Sequence, residues 1–239
     1  MTNLSNRKQA FAQPQSNPST KFFSWKSNDK CFSFYNKDTK ENENVPLPFK
    51  FLILDELHTV KGWSDANNGN IIANEVKFIS KETINVRCYH KNNKGESVRT
   101  NIVSGLYKDI KPEVVAAGGK YHKSIYIMLE DGTIANIQLK GAGVQAWGDF
   151  ANKNKGRLPE EWIVVKSATE GKKGSVKYTT PSFAFERTLS DTESEQADFA
   201  FNTLESYLKT YLAKAEPADI NDINVNDPEV LEDEDDLEF

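Results

Sequence analysis

No stretch of the 239 residues is long and apolar enough to span a bilayer. The longest apolar runs, FLIL (51–54) and WIVV (162–165), have the length of strands. Cysteine is nearly absent, with Cys31 and Cys88 alone. No disulfide framework is expected, and the chain reads as suited to a reducing cytoplasm, that of a host if it is viral. Histidine occurs three times, at His58, His90 and His122, never in ligand spacing with another His or a Cys, so neither a metal nor another cofactor is expected. Residues 1–20 hold no acid and no apolar core of signal-peptide type; rich in Asn, Gln, Ser and Pro, they predict a flexible arm.

Residues 216–239 lack every Lys and Arg but carry eleven acids. The net charge of −5 therefore conceals a split: the remaining 24 acids face 30 bases, a balance of +6. A mildly basic body with a disordered acidic tail is a different object from a uniformly acidic protein. Between arm and tail, residues 21–215 are read as one domain.

That domain is rich in aromatics and strand patterns. KFFSW (21–25) and CFSFY (31–35) predict a hairpin across KSNDK, its six rings closing one end of a core, with 36–46 a polar connector. Strands are expected at 49–60, 70–79, 83–90 and 97–103. Hairpins are expected at 123–141, turning at Asp131-Gly132, and from 162–169 to 175–185 across the basic loop EGKKG. Short helices are expected at 107–119 and 142–153, and a longer one at 190–215. There, Ser190 with Glu193 makes a capping box, and Ala197, Phe201, Leu204, Leu208 and Tyr211 form an apolar stripe that packs on the body or on a second copy as a homodimer. The fold class is mainly β with short helices (α+β). An OB-like β-barrel plus a C-terminal helix leads, with another small barrel or a sandwich open.

Catalytic readings find little support. AAGGKYHKS (116–124) lacks the first glycine of a phosphate-binding loop, and Tyr121 stands where Ser or Thr would bind the metal. Glu56 and His58 in DELH share one strand face, read as solvated surface. Cys88, alternating with Ile84 and Val86, is read as a core thiol. No clustered carboxylates assemble, so no enzyme is expected.

Binding residues are better represented. Alternation turns Lys77, Arg87, Tyr89, Arg99, Tyr126 and Lys177 outward. Loops add Lys91, Lys94, Lys172 and Lys173, and Trp63 is read as sitting in a Gly/Asn-rich turn. Cations interleaved with flat rings suit single-stranded nucleic acid, where each stacked base contributes roughly 1–3 kcal/mol without sequence preference.

DPEVLEDEDDLEF (227–239), acids followed by an apolar residue and a closing Phe, resembles the acidic tips of the single-stranded DNA-binding proteins of bacteria and their phages. GLYKDIKPEVVAAGGKYHKSIYIML (105–129) and GAGVQAWGDF (141–150) also look like a phage replication protein, without a defining motif. The resemblance implies an OB-fold core that coats and protects single-stranded DNA in replication and recombination. It further implies a tip, Asp233, Glu234, Asp235, Asp236, Leu237, Glu238 and Phe239, that docks on partners such as polymerase, helicase or primase and competes with DNA for the basic groove. The helix before the short linker departs from the bacterial pattern. The alternative is a non-enzymatic virion or anti-host interaction protein whose acidic tail mimics DNA.

Overall fold

A computed structural model describes residues 16–92 and 94–214 of the chain. The elements follow as β1 (Phe22–Lys26), β2 (Cys31–Asn36), β3 (Glu41–Val45), β4 (Phe49–Ser64), β5 (Gly69–Ala73), β6 (Ile84–Lys91) and β7 (Ser97–Gly105). Then come α1 (Tyr107–Ala116), β8 (Gly119–Met128), β9 (Ile134–Lys140), α2 (Ala142–Lys153), β10 (Glu161–Lys173), β11 (Val176–Thr188) and α3 (Asp191–Ala213).

The strands hydrogen-bond in the order β3-β2-β1-β9-β8-β4-β5-β6-β7, and the β10–β11 pair joins at the start of β4. All pairs are antiparallel except β1 with β9. The expected barrel is not closed: β3 and β7 lie at opposite ends of this order, with no pairing between them among the described residues. Helices on both faces supply the burial that closure would otherwise give. The polar segment read as a connector pairs with β2 from Phe32↔Val45 to Asn36↔Glu41 as the edge strand β3. Its alternating acids and amides discourage a further strand from adding there.

β4 is the spine. It pairs with β10 at Phe49–Phe51, with β8 from Leu52 to Gly62, and with β5 from Lys61 to Ser64. An irregularity between Ile53 and Asp55 shifts the alternation by one residue. Beyond it Glu56, His58 and Val60 continue the face of Phe49, Phe51 and Ile53. On that face α2 adds Trp147 and Ala151 to a core with Phe23, Phe32, Phe34, Phe49, Phe51, Ile125, Ile127, Ile137, Leu139, Ile163 and Val165. Farther along, α1 sets Ile110 and Val114 on Val60, Ile71, Ile84 and Val86. Helix α1 is capped by Ala117 and followed by Gly118, the latter at φ 95°. A Cβ on Gly62 of β4 would lie 2.2 Å from the Gly118 carbonyl oxygen, so only glycine permits this approach.

The opposite face carries α3. Ser190 and Glu193 form the expected capping box. The buried stripe is Ala200, Leu204, Tyr207, Leu208 and Tyr211, while Phe201 is 41% exposed, so the stripe is turned from the expected one. It covers Leu57 and Tyr126, with Leu52, Met128, Ile134 and Trp162 along the same helix. From Ser124 to Met128 β8 is consequently buried on both sides. Residues 16–20, assigned by sequence to the flexible arm, are placed against the sheet: Thr20 N–H donates to the Ile134 carbonyl at 3.0 Å and Ser19 is buried.

Candidate nucleic-acid interface

On the α3 face, beyond the end of that helix, strand register brings distant residues into rows. One row runs Trp63 (β4), Asn70 (β5), Tyr89 (β6), Arg99 (β7). The next runs Lys120 (β8), Lys61 (β4), Ile72 (β5), Arg87 (β6), Asn101 (β7). With strands about 4.8 Å apart, each row is some 14–19 Å long. Trp63 and Tyr89 are half-buried, Asn70 between them is buried and Arg99 is exposed. Arg87 Nε donates to Asn101 Oδ1 at 3.2 Å, which steadies the guanidinium across the ladder. The result is a strip in which two rings, spaced by Asn70, are flanked by cations on the sheet.

The turn between β6 and β7 extends the strip. Asn92 Oδ1 accepts from the N–H groups of Lys94 and Glu96 at 2.9 and 3.0 Å, and its amide donates to Glu96 Oε2 at 2.8 Å. This holds exposed Lys91 and Lys94 at the hairpin end, next to Tyr89.

Lys61, Lys120 and Lys140, in or beside the strip, carry no alternation signal of their own and emerge only from pairing between distant strands. His122 lies opposite Lys140, and Lys61 opposite Lys120. Burial pulls the His122 imidazole down to about 3, its Nδ1 donation to the Lys120 carbonyl (3.0 Å) opposes this, and the charges of Lys61, Lys140 and Lys120 add to the depression. The ring is neutral, and three ammonium groups converge around it. Lys61 is half-buried as a residue but its ammonium end is enclosed in a narrow cleft with Ile72, Glu75, Tyr126 and Tyr211. Burial lowers it to about 8 against the pull of Glu75.

Two expected contacts are corrected. Tyr126 is 1% exposed beneath α3 and donates to Glu75 Oε2 at 2.8 Å, so it cannot stack on a base. The alternation was right, but the second face of β8 is covered by a helix rather than by water. Lys77 is exposed but pairs with Asp55 at 2.8 Å and Glu205 at 3.8 Å, in the loop that follows β5.

Lys172, Lys173 and Lys177 belong elsewhere. They sit at the end of the β10–β11 ribbon, exposed, while β10 meets β4 only at Ile163–Val165. The sequence-selected cations therefore form two groups, the strip and the ribbon tip. Asp233 to Phe239 lie outside the described residues.

Glu56 and His58 are not solvated surface. Glu56 accepts from the Trp147 indole at 2.9 Å and pairs with Lys123 at 2.5 Å; His58 Nδ1 bonds the Tyr121 hydroxyl. Burial brings His58 down to about 4, helped by Lys123 and opposed by Glu56. These groups satisfy one another between the two cores, and no cluster of three or more His, Cys, Asp or Glu suited to a metal occurs among the described residues. Cys88 is fully buried, its thiol raised by burial, as a core residue should be. Among the described residues no helix is long and apolar enough to cross a membrane. No protein-family model, curated protein or solved structure matches the chain.

Proposed function

We propose that the chain is a sequence-nonspecific single-stranded DNA-binding protein, acting in DNA replication or recombination and of phage origin. The observation that carries this reading is the row Trp63–Asn70–Tyr89–Arg99, flanked in the next row by Lys120 and Arg87. Rings take the bases by stacking, the flanking cations take the phosphates, and neither selects a sequence. A rigid sheet fixes ring and cation spacing before the strand arrives, which lowers the ordering cost of binding. The surface follows the logic of an oligonucleotide-binding barrel without its closure. No group with a catalytic task is part of the reading.

The acidic segment 216–239 acts as the arm that recruits partner proteins. Helix α3 ends at Ala213, and its last buried ring, Tyr211, shares the cleft of Lys61. The eleven acids of 216–239 are opposite in charge to the strip, and such charges attract over about 10 Å at 0.1 M salt. Strand binding to the strip releases the segment to other proteins.

Tryptophan fluorescence tests the reading. Trp147 and Trp162 are 0% and 3% exposed, and the Trp25 indole donates to the Thr179 carbonyl at 2.9 Å, so Trp63 is the ring best placed to report. Oligo-dT quenches the emission, and log K falls with log salt at about 0.7 per phosphate neutralised. Tight binding to duplex with none to oligo-dT overturns the reading. So does quenching that persists unchanged in Trp63→Phe with wild-type affinity in Tyr89→Ala.

A further inference from the structure

The β10–β11 ribbon is built differently from the strip. From Lys166 to the turn at Gly174 it extends about 26 Å beyond its contact with β4, and most of its residues are exposed. Its flank is fastened to the β1–β2 turn. Thr179 N–H donates to Ser27 Oγ at 2.7 Å, its hydroxyl donates to the Ser27 carbonyl at 2.6 Å, and Lys30 pairs with Glu170 at 2.8 Å. Within the ribbon Tyr178 lies across from Gly171, and a Cβ on that glycine would meet the ring at 2.4 Å. The ring covers the glycine and stiffens a two-stranded arm that would otherwise be marginal.

Past this clamp the charged residues of the arm are all cations. Lys172 lies directly opposite Lys177, with Lys173 next to it. Like charges paired across a ladder weaken it, so the sequence spends hairpin stability to hold positive charge at the tip. An anionic ligand relieves that repulsion. No ring at the tip is available for stacking, since Tyr178 lies on Gly171 and Trp25 is bonded to Thr179. A cationic two-stranded ribbon without stacking rings suits the backbone and groove of a duplex; a B-form major groove is about 12 Å wide and admits such a ribbon. The strip, with rings, suits an unpaired strand. Along β4, Phe51 and Trp63 are roughly 40 Å apart, and β10, antiparallel to β4, carries the ribbon tip still farther from the strip.

We propose that the ribbon grips duplex DNA next to the single strand held by the strip, so that the preferred ligand is a junction between single-stranded and double-stranded DNA. The inference rests on the single-strand reading above and adds the substrate class.

The test compares full-length wild type with the triple variant Lys172→Gln, Lys173→Gln, Lys177→Gln on oligo-dT, a blunt duplex and the same duplex with a dT tail, by fluorescence anisotropy at fixed salt. Wild type binds the tailed duplex about tenfold more tightly than oligo-dT, as expected from a few extra phosphate contacts. The variant loses that increment, keeps its oligo-dT affinity and melts at the wild-type temperature. Equal wild-type affinity for oligo-dT and tailed duplex overturns the inference. An equal loss on both probes in the variant also does so, since it makes the ribbon another single-strand contact. Absence of oligo-dT binding by wild type overturns the single-strand reading instead. In that case the ribbon assignment falls as well, unless blunt-duplex binding drops in the variant.

Discussion

The Tyr126 hydroxyl donates to Glu75 Oε2 at 2.8 Å beneath helix α3, at a position that simple alternation turns toward solvent. Tyr126→Phe removes the donor and leaves the ring in place. Stability falls by about 0.5–1.5 kcal/mol, the worth of one such hydrogen bond, while oligo-dT affinity is unchanged. Denaturant unfolding and anisotropy on the same preparation check both halves. A loss of DNA binding at unchanged stability returns Tyr126 to the interface.

Trp63 and Tyr89 carry the stacking. Trp63→Ala and Tyr89→Ala each weaken oligo-dT binding by roughly 1–3 kcal/mol, and Trp63→Phe stays close to wild type. Arg99→Gln acts through charge and lowers the salt slope by about 0.7. Salt titrations of the variants separate ring from cation; a common slope change in all of them contradicts the division.

Lys61 imposes a stability cost for keeping an ammonium group in the cleft. Its pKa is about 8 in the fold, below the ordinary 10.5. Between those values the unfolded chain binds the proton and the folded chain does not, so stability rises with pH from 8 to 10.5 and is lowest, and flat, below 8. Lys61→Met removes the rise and stabilises the protein at neutral pH by up to about 3 kcal/mol. Thermal melts across this pH range check it, and a variant less stable than wild type at pH 7 refutes it.

Acid has a related effect through histidine. His58 and His122 are brought down to about 4 and about 3, in both cases chiefly by burial. Above pH 6.5 both are neutral in either state and cost nothing. As pH falls below 6.5 the unfolded chain gains protons first, so stability is lost progressively toward pH 4 for His58 and pH 3 for His122. His122→Asn flattens part of this loss. Urea midpoints between pH 7 and pH 4 that run parallel in variant and wild type count against it.

How far the sequence could be read depends on the range of each interaction. The capping box at Ser190 and Glu193 is local, and the helix begins where those two residues require. The hairpins β8–β9 and β10–β11 and helix α2 follow from patterns within a few residues of one another. Edge strand β3 has almost no side-chain signal, because its backbone bonds to β2 hold it. The turned stripe of α3 and the burial of Tyr126 share one cause: which helical face meets the sheet depends on residues far along the chain. The strip was half legible. Arg87, Tyr89 and Arg99 stand out by alternation, whereas Lys61, Lys120 and Lys140 join them only through the pairing of β4, β8 and β9.

The length of β4 has a consequence for how the molecule comes apart. Phe49 and Phe51 lie in the core under α2, and Val60, eleven and nine positions later on the same strand, lies in the core under α1. Neither core can lose its β4 wall while the other keeps a straight, hydrogen-bonded strand. The two therefore share one melting event, and heat or urea should produce a single transition whether it is followed by the buried Trp147 or by the backbone signal of β5 to β7.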